Sequence, residues 1–248
     1  MDYSLDFKNV VVEAERLKMY IGEGNPLSKI LMIGKELGQI ENYDDNYQCD
    51  RSVSDNFTLW KKNIEYGSII NFDDIQGNNP LFALKGITKK DLPSAGHTWN
   101  KYQKINDLLY DQKDTYEHNF HKTFFITELN QSPAKKSEDA KKHSIQERIS
   151  FFKNSEFYQQ FPIVILACGT YIKGSEICNT FGVEFIENGQ HSFGDSGKQQ
   201  KFWVHHGINN TPKLVIHTRQ LSGPIFNSLL EGIATEIKQF AIKNKISL

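Results

Sequence analysis

Four short apolar runs limit the folds that this sequence can adopt. They cover residues 29–34, 123–127, 162–169 and 213–217, and in each the apolar residues are nearly continuous rather than alternating. A strand that is apolar on both faces must be covered on both faces, which is typical of the central strands of a parallel sheet. The sequence therefore predicts an α/β fold with three layers (α/β/α) around a central four-stranded parallel sheet.

Amphipathic segments around these runs predict the helices that cover the sheet. Apolar residues recur at helical spacing in four segments, which span residues 7–21, 99–109, 145–157 and 225–240. Two β-like runs, Val183–Ile186 and Lys201–His205, flank a Gly- and Ser-rich stretch. This pattern predicts a small hairpin insertion before the last central strand.

The segment from about residue 40 to residue 96 has little periodic pattern. We interpret it as an irregular insertion, either a functional loop or a segment that wraps around the body. The chain has no internal repeat and no linker that would divide it, and its 248 residues suit one domain. The sequence therefore predicts a single domain that spans residues 1–248.

Composition excludes several classes of protein. The 29 basic and 30 acidic residues nearly cancel, which excludes a uniformly basic nucleic-acid coat but not a local basic patch. No apolar run approaches the roughly 18 residues of a membrane span, and the first residues lack a secretion-signal pattern. The 3 cysteines lack metal-site spacing and fit a reducing compartment. We expect a cytoplasmic protein, favour a monomer, and expect no membrane partner, metal or cofactor.

A polar turn is expected after each apolar run. These turns lie at residues 34–38, 128–132, 169–171 and 217–223. In an open parallel sheet the ligand site lies beyond the carboxyl ends of the strands. We therefore expect the four turns to converge on one rim, with Glu36 and His217 as neighbours across a shared cleft.

Two of these turns carry candidate catalytic residues. In Gly34-Lys35-Glu36-Leu37-Gly38, the glycines permit close approach of a ligand to the main chain, and Glu36 could orient or activate water. The alternative is that this turn is only the exit of the chain from the sheet. His217 could donate to an anion that forms at the rim. The alternative for His217 is a hydrogen bond to a backbone carbonyl.

Two further segments carry candidate binding residues. The amide of Asn130 can read a planar heterocycle through one donor and one acceptor, or it can stabilise its own turn. Lys135 and Lys136 begin a basic run, with Arg148 beyond it, that could contact phosphates, and the alternative is a solvated helix face with internal ion pairs. Ser222 belongs to the last polar turn, where its alternative role is to cap the final helix.

The layout of these segments resembles the uracil-DNA glycosylase superfamily. Its two signature segments are a strand that ends in Gly-x-(Asp/Asn)-Pro-(Gly/Tyr) and a late strand that ends in His-Pro-Ser. Glu36 would occupy the position of the water-activating residue, and His217 matches the histidine that stabilises the departing base. Leu37 stands where a proline is usual, and Thr218-Arg219 replace Pro-Ser.

The resemblance implies an enzyme that hydrolyses the N-glycosidic bond of a flipped-out base, uracil-type or damaged, in single- or double-stranded DNA. Glu36 and His217 are its implied catalytic residues. The implied base-binding residues are Gly34, Gly38, Asn130, Glu128 and Tyr43. The implied DNA-binding residues are Arg219, Leu221, Ser222, Lys135 and Lys136. Leu221 matches a leucine that wedges into the duplex in one branch of the family.

The substituted motif positions and the near-neutral charge favour an alternative function. It is a catalytically weak or inactive protein of the same fold that binds a nucleic acid or a nucleobase. A third class is a different α/β hydrolase whose site uses the same rim. Release of a free base separates the first function from the second, and salt-sensitive binding of single-stranded DNA separates both from the third.

Overall fold

A computed structural model describes residues 2–38, 45–67, 71–75, 79–88, 97–113, 115–134, 144–195 and 197–248. Seven strands within these ranges form one sheet. They are β1 (Glu23–Gly24), β2 (Ile30–Gly38), β3 (Phe124–Ala134), β4 (Ile163–Leu166), β5 (Val183–Phe193), β6 (Gln200–Gly207) and β7 (Leu214–Thr218).

The described ranges also contain seven α-helices. They are α1 (Leu5–Leu17), α2 (Asp45–Glu65), α3 (His97–Leu109), α4 (Ile145–Asn154), α5 (Glu156–Gln159), α6 (Gly174–Phe181) and α7 (Asn227–Asn244). The first begins where the Ser4 hydroxyl accepts a hydrogen bond from the Phe7 backbone N–H at 3.1 Å. None of the helices in these ranges combines the length and the apolar character that crossing a membrane requires.

The helices cover the sheet on two sides, as the continuous apolar runs predicted. Helices α1, α2, α4, α5 and α6 pack against the face that contains Ile33 and Leu166. Helices α3 and α7 pack against the opposite face, which contains Met32 and Ile165. Strand β4 is buried along its whole length because it lies at the centre of the sheet. The layers of the fold are therefore α/β/α.

The sheet is larger than the four strands that the sequence predicted. Its order is β1-β3-β2-β4-β7-β6-β5. Strands β3, β2, β4 and β7 are parallel, while β1, β6 and β5 pair antiparallel with their neighbours. The predicted hairpin is formed by β5 and β6, but β6 also pairs with β7 and so extends the main sheet. Without β6, strand β7 would be an edge strand with unpaired backbone groups, and pairing with β6 satisfies those groups.

The predicted turns after the first two apolar runs are strand instead. Strand β2 continues through Glu36 to Gly38, and β3 continues to Ala134. Gly34 pairs with Glu128 and Glu36 pairs with Asn130, before an irregularity between Glu36 and Gly38. Because the hydrogen bonds of a sheet use backbone groups alone, polar side chains can extend a strand beyond its apolar run.

Part of the segment that was expected to be irregular is helical. Residues Asp45–Glu65 form α2, which has 21 residues. Val53, Phe57 and Trp60 are spaced by four and three positions and are buried on one side of this helix. The Trp60 indole donates to the Gly22 carbonyl at 2.8 Å and so fixes α2 against the start of β1.

Candidate functional site

The carboxyl ends of β2 and β3 bring two of the predicted site residues together. Glu36 and Asn130 are direct neighbours in the parallel register, so their side chains project from the same face of the sheet. The Tyr171 hydroxyl, on the turn after β4, donates a hydrogen bond to Glu36 and accepts one from the Asn130 amide. Three of the four predicted segments therefore meet at this rim.

The Asn130 amide is fixed by further hydrogen bonds. Its Oδ1 accepts from the Ser144 hydroxyl at 2.8 Å and from the Ser132 backbone N–H at 3.1 Å. The bond to Ser132 is a local contact like the alternative that the sequence left open, but it lies within β3 rather than in a turn. The amide nitrogen is directed to Tyr171. The side chain is fully buried, so the amide presents its donor in one orientation.

Tyr171 was not among the residues predicted from the sequence. Its turn was placed at the rim, but nothing in the sequence distinguishes this tyrosine from the other nine. The Lys35 ammonium lies 4.5 Å from the centre of its ring. Burial raises the pKa of Tyr171, and its hydrogen bond to Glu36 raises it further. The hydroxyl therefore keeps its proton and remains a donor to Glu36.

Glu128 is a buried carboxyl group beside this pair. Within the described ranges its Oε2 has no hydrogen-bond partner. Burial raises the pKa of Glu128 well above its usual range, and the nearby Glu23 and Glu36 carboxylates raise it further. The Arg148 guanidinium opposes this shift. The environment therefore favours the protonated carboxylic acid, which can act as a hydrogen-bond donor.

Gly34 makes room for the Glu128 carboxyl group. A Cβ atom at residue 34 would lie 2.3 Å from Glu128 Oε2 and 2.6 Å from Oε1. Even alanine would therefore force the carboxyl group away from its position. The glycine that the sequence suggested for close approach of a ligand here permits the close approach of a carboxyl group.

A cavity of about 730 Å³ opens beside Glu128. It lies between α2 and the β1 edge of the sheet. Its wall includes the indole of Trp99 and the side chain of Leu37, together with the charged groups of Glu23, Asp55 and Lys62. More than half of its described lining residues are polar or charged, so the cavity offers hydrogen-bonding groups beside a smaller apolar surface.

Arg148 supports the rim from the other face of the sheet. It is fully buried, and its guanidinium donates to the carbonyls of Tyr20 and Glu128 and to the Thr127 hydroxyl. The guanidinium also lies 4.5 Å from the centre of the Phe152 ring. The sequence grouped Arg148 with the basic run near Lys135, which predicted a phosphate contact or a solvated face, and neither describes it.

His217 lies at the same edge of the sheet but does not face Glu36. It pairs with Leu166, which pairs with Ile33, so these three share one face. Glu36 is three residues beyond Ile33, and alternation therefore places it on the opposite face. The structure does not bring the predicted catalytic pair together across one cleft. The turn that contains Tyr171 lies between them.

The imidazole of His217 is already bonded to the backbone. Its Nε2 donates to the Gly169 carbonyl at 2.7 Å, which is the alternative that the sequence left open. Burial lowers the pKa of His217, although the bond to Gly169 acts in the opposite direction. The ring is therefore neutral at pH 7 and fixes the turn that begins at Gly169.

The remaining predicted site residues differ in their placement. Leu221 is fully buried among α3 and α7, so its side chain cannot wedge into a duplex without leaving the core. Arg219 and Ser222 are exposed on the turn after β7, and Gly38 is the last residue of β2. The described ranges do not include three other predicted site residues, namely Tyr43, Lys135 and Lys136.

Comparison with known proteins gives no family assignment. No family model matches the chain, and no curated protein matches it significantly. Within the ranges that the structure describes, no group of three or more His, Cys, Asp or Glu side chains could hold a metal ion. The geometry of the rim is therefore the basis for the function proposed below.

The titration of Glu128 predicts how stability depends on pH. The folded state holds this proton to a higher pH than the unfolded state, so stability falls as pH rises above the ordinary value of 4.5. Glu128→Gln removes this loss, because the amide resembles the neutral acid. We expect similar stability near pH 4 and a variant more stable than wild type at pH 8. At pH 8 the difference in unfolding free energy should exceed about 1 kcal/mol, because a pKa that is raised by one already corresponds to about 1.4 kcal/mol.

Urea unfolding at pH 4, 6 and 8 measures this difference. The same exchange at Glu187, an exposed residue of β5, controls for the loss of one negative charge. A stability difference for Glu128→Gln that is constant across this pH range would show that the carboxyl group is charged in the folded protein.

Proposed function

We propose that this protein hydrolyses the N-glycosidic bond of a nucleobase, in DNA or in a smaller nucleobase glycoside. The observation that best supports this function is the pair of Glu36 and Asn130, which are neighbours on adjacent parallel strands and both contact the Tyr171 hydroxyl. The reaction needs an amide that reads a planar base and a carboxylate that holds water nearby.

In the proposed reaction, a water oxygen bonds to the anomeric carbon of the sugar while the bond from that carbon to the base nitrogen breaks. The electron pair of the broken bond goes to the base, and the proton that water loses goes to Glu36. The Glu36 carboxylate also offsets the positive charge that develops on the sugar. Protonated Glu128 donates to the departing base, which is a task suited to a buried neutral acid.

In this proposal His217 is a positioning residue. Its hydrogen bond to the Gly169 carbonyl holds the turn that carries Tyr171, and Tyr171 in turn contacts Glu36 and Asn130. Arg219 and Ser222, which are exposed on the next turn, are the candidates for contacts with a DNA backbone. A DNA partner, a monomeric state and a cytoplasmic location stay predictions from the sequence.

One observation favours a second candidate, a nucleobase-binding protein of the same fold without efficient chemistry. The Tyr171 hydroxyl is hydrogen-bonded to both Glu36 and Asn130, so a substrate and its water must displace it. A protein that only binds a base has no need of a free carboxylate. The two candidates differ in whether a bound base is released from its sugar.

A panel of oligonucleotides that contain uracil, hypoxanthine or other damaged bases tests both candidates. Release of free base by the wild-type protein supports hydrolysis, and binding without release supports the second candidate. If neither occurs with oligonucleotides or with free nucleosides, both are wrong. A His217→Ala variant should retain part of the activity, because the residue acts through the Gly169 turn rather than on the base.

A further inference from the structure

The antiparallel strands β5 and β6 are covered differently on their two faces. Helix α7 packs against Phe193 and Phe202 on one face. On the other face a cavity of about 510 Å³ opens between α6 and the strands β5, β6 and β7. An antiparallel sheet that meets solvent on one face usually carries polar side chains there. Aromatic side chains on this open face therefore indicate that something binds to it.

Aromatic rings do lie on the open face. Phe185 pairs with His205, and Trp203 pairs with His217. Because Trp203 and His205 are two residues apart on β6, both pairs project from the same face. The Phe185 side chain is 48% exposed, and those of Trp203 and His217 are partly exposed. We call Phe185, Trp203 and His217 together the aromatic face.

The charge beside the aromatic face is positive. Lys201 lies two residues before Trp203 on β6, so alternation places it on the same face, nearer to the end of β7. Arg219 follows the end of β7 and is exposed. Among the described residues neither cation pairs with a carboxylate. The described residues that line the cavity include no acidic side chain. The electrostatics of this surface therefore favour an anionic ligand.

Single-stranded nucleic acids are recognised by this combination of side chains. Their bases stack on exposed aromatic rings of a sheet, and basic side chains beside the rings contact the phosphates. Every base has a flat face, so such stacking does not depend on the identity of the base. The Trp203 indole donates to Gln190 Oε1 at 3.1 Å, and this bond holds the ring in one orientation. The ring is therefore positioned for stacking before a ligand arrives.

We propose that the aromatic face binds single-stranded DNA, with one base on Trp203, an adjacent base on Phe185, and phosphates beside Lys201 and Arg219. The two rings lie in neighbouring rows of the sheet, about 7 Å apart along the strands, which leaves room for a separate base on each. The inference does not depend on the proposed hydrolysis, because Glu36 projects from the opposite face of the sheet.

Fluorescence anisotropy of a labelled oligothymidylate of about 12 nucleotides measures binding to the full chain. Trp203→Ala and Phe185→Ala should each weaken binding by about 5- to 150-fold, the usual loss for one stacked base. Trp203→Phe keeps a ring and should keep most of the affinity. The matched control is Tyr66→Ala, which removes an exposed ring just after α2 and should bind like wild type. The same strand annealed to its complement should bind at least about tenfold more weakly, because its bases are already stacked.

The salt dependence of binding tests the phosphate contacts. In Lys201→Gln the slope of log affinity against log salt concentration should be less steep by about 0.7, the value for one phosphate contact on a single strand. Lys243→Gln removes an exposed lysine of α7 and should leave the slope unchanged. Equal slopes in wild type and Lys201→Gln would exclude a phosphate contact at Lys201.

The reactivity of Cys178 gives a test that needs no variant. This thiol lines the cavity and is partly accessible, whereas Cys168 is fully buried. Bound oligothymidylate should slow alkylation of Cys178, located by peptide mass, several-fold. The proposal is overturned if oligothymidylate does not bind, if it leaves Cys178 unprotected, or if folded Trp203→Ala and Phe185→Ala variants bind it as tightly as wild type. The proposed hydrolysis stands or falls separately, since oligothymidylate contains no uracil or damaged base and its binding is measured without base release.

Discussion

A Glu36→Gln variant is expected to release free base about 10²–10⁴-fold more slowly than the wild-type protein, which is the usual contribution of a general base. Glutamine keeps the size of the side chain and an oxygen that can accept from the Tyr171 hydroxyl. It removes the negative charge that would take a proton from water and offset the sugar cation. The fold should therefore persist while the chemistry is lost.

Single-turnover assays on the best substrate of the oligonucleotide panel measure this change. Glu184→Gln, at an exposed position of β5, is a matched control and should leave the rate unchanged. Unaltered binding of the oligonucleotide by Glu36→Gln would place the defect in the chemical step rather than in recognition. A rate equal to that of the wild type would remove Glu36 from the mechanism.

The strands were predictable because their signal is local. The four apolar runs correspond to β2, β3, β4 and β7, since a strand covered on both faces must be apolar along its length. The ends of β2 and β3 were not predictable in this way. Lys35 and Glu36 are polar, and only their pairing with β3 extends the strand through them.

The candidate site was predictable only in part. Glu36 and Asn130 were placed at the rim because they follow apolar runs, and the parallel register makes them neighbours. The face of the sheet from which His217 projects depends on the register across three strands. No local sequence pattern encodes that register. Glu128 was placed at the rim, but its lack of a partner depends on burial by residues far apart in the chain.

Arg148 shows most clearly what a sequence pattern leaves out. Its neighbours in the chain include many charged residues, so a solvated position was the natural interpretation. Its actual partners are acceptors at Tyr20, Thr127 and Glu128, of which the nearest is 20 residues away. Only the folded chain brings those acceptors around one guanidinium.

Arg148→Met is expected to reduce the free energy of unfolding by about 3–5 kcal/mol, because it leaves three buried acceptors without their donor. Methionine fills much of the same volume, so the loss reports hydrogen bonding more than a cavity. Urea unfolding measures the change. Arg148→Lys should recover only part of it, since one ammonium lacks the planar fork of donors that reaches all three acceptors.

Arg16→Met is the matched control, because Arg16 lies on the surface of α1 and pairs only with Glu13 among the described residues. Its stability should equal that of the wild type. Equal losses in both variants would show that the buried contacts of Arg148 contribute nothing specific. The Arg148 charge also lowers the pKa of Glu128. Its removal should therefore extend the fall in stability with pH to higher pH, and this extension should disappear when Glu128→Gln is combined with Arg148→Met.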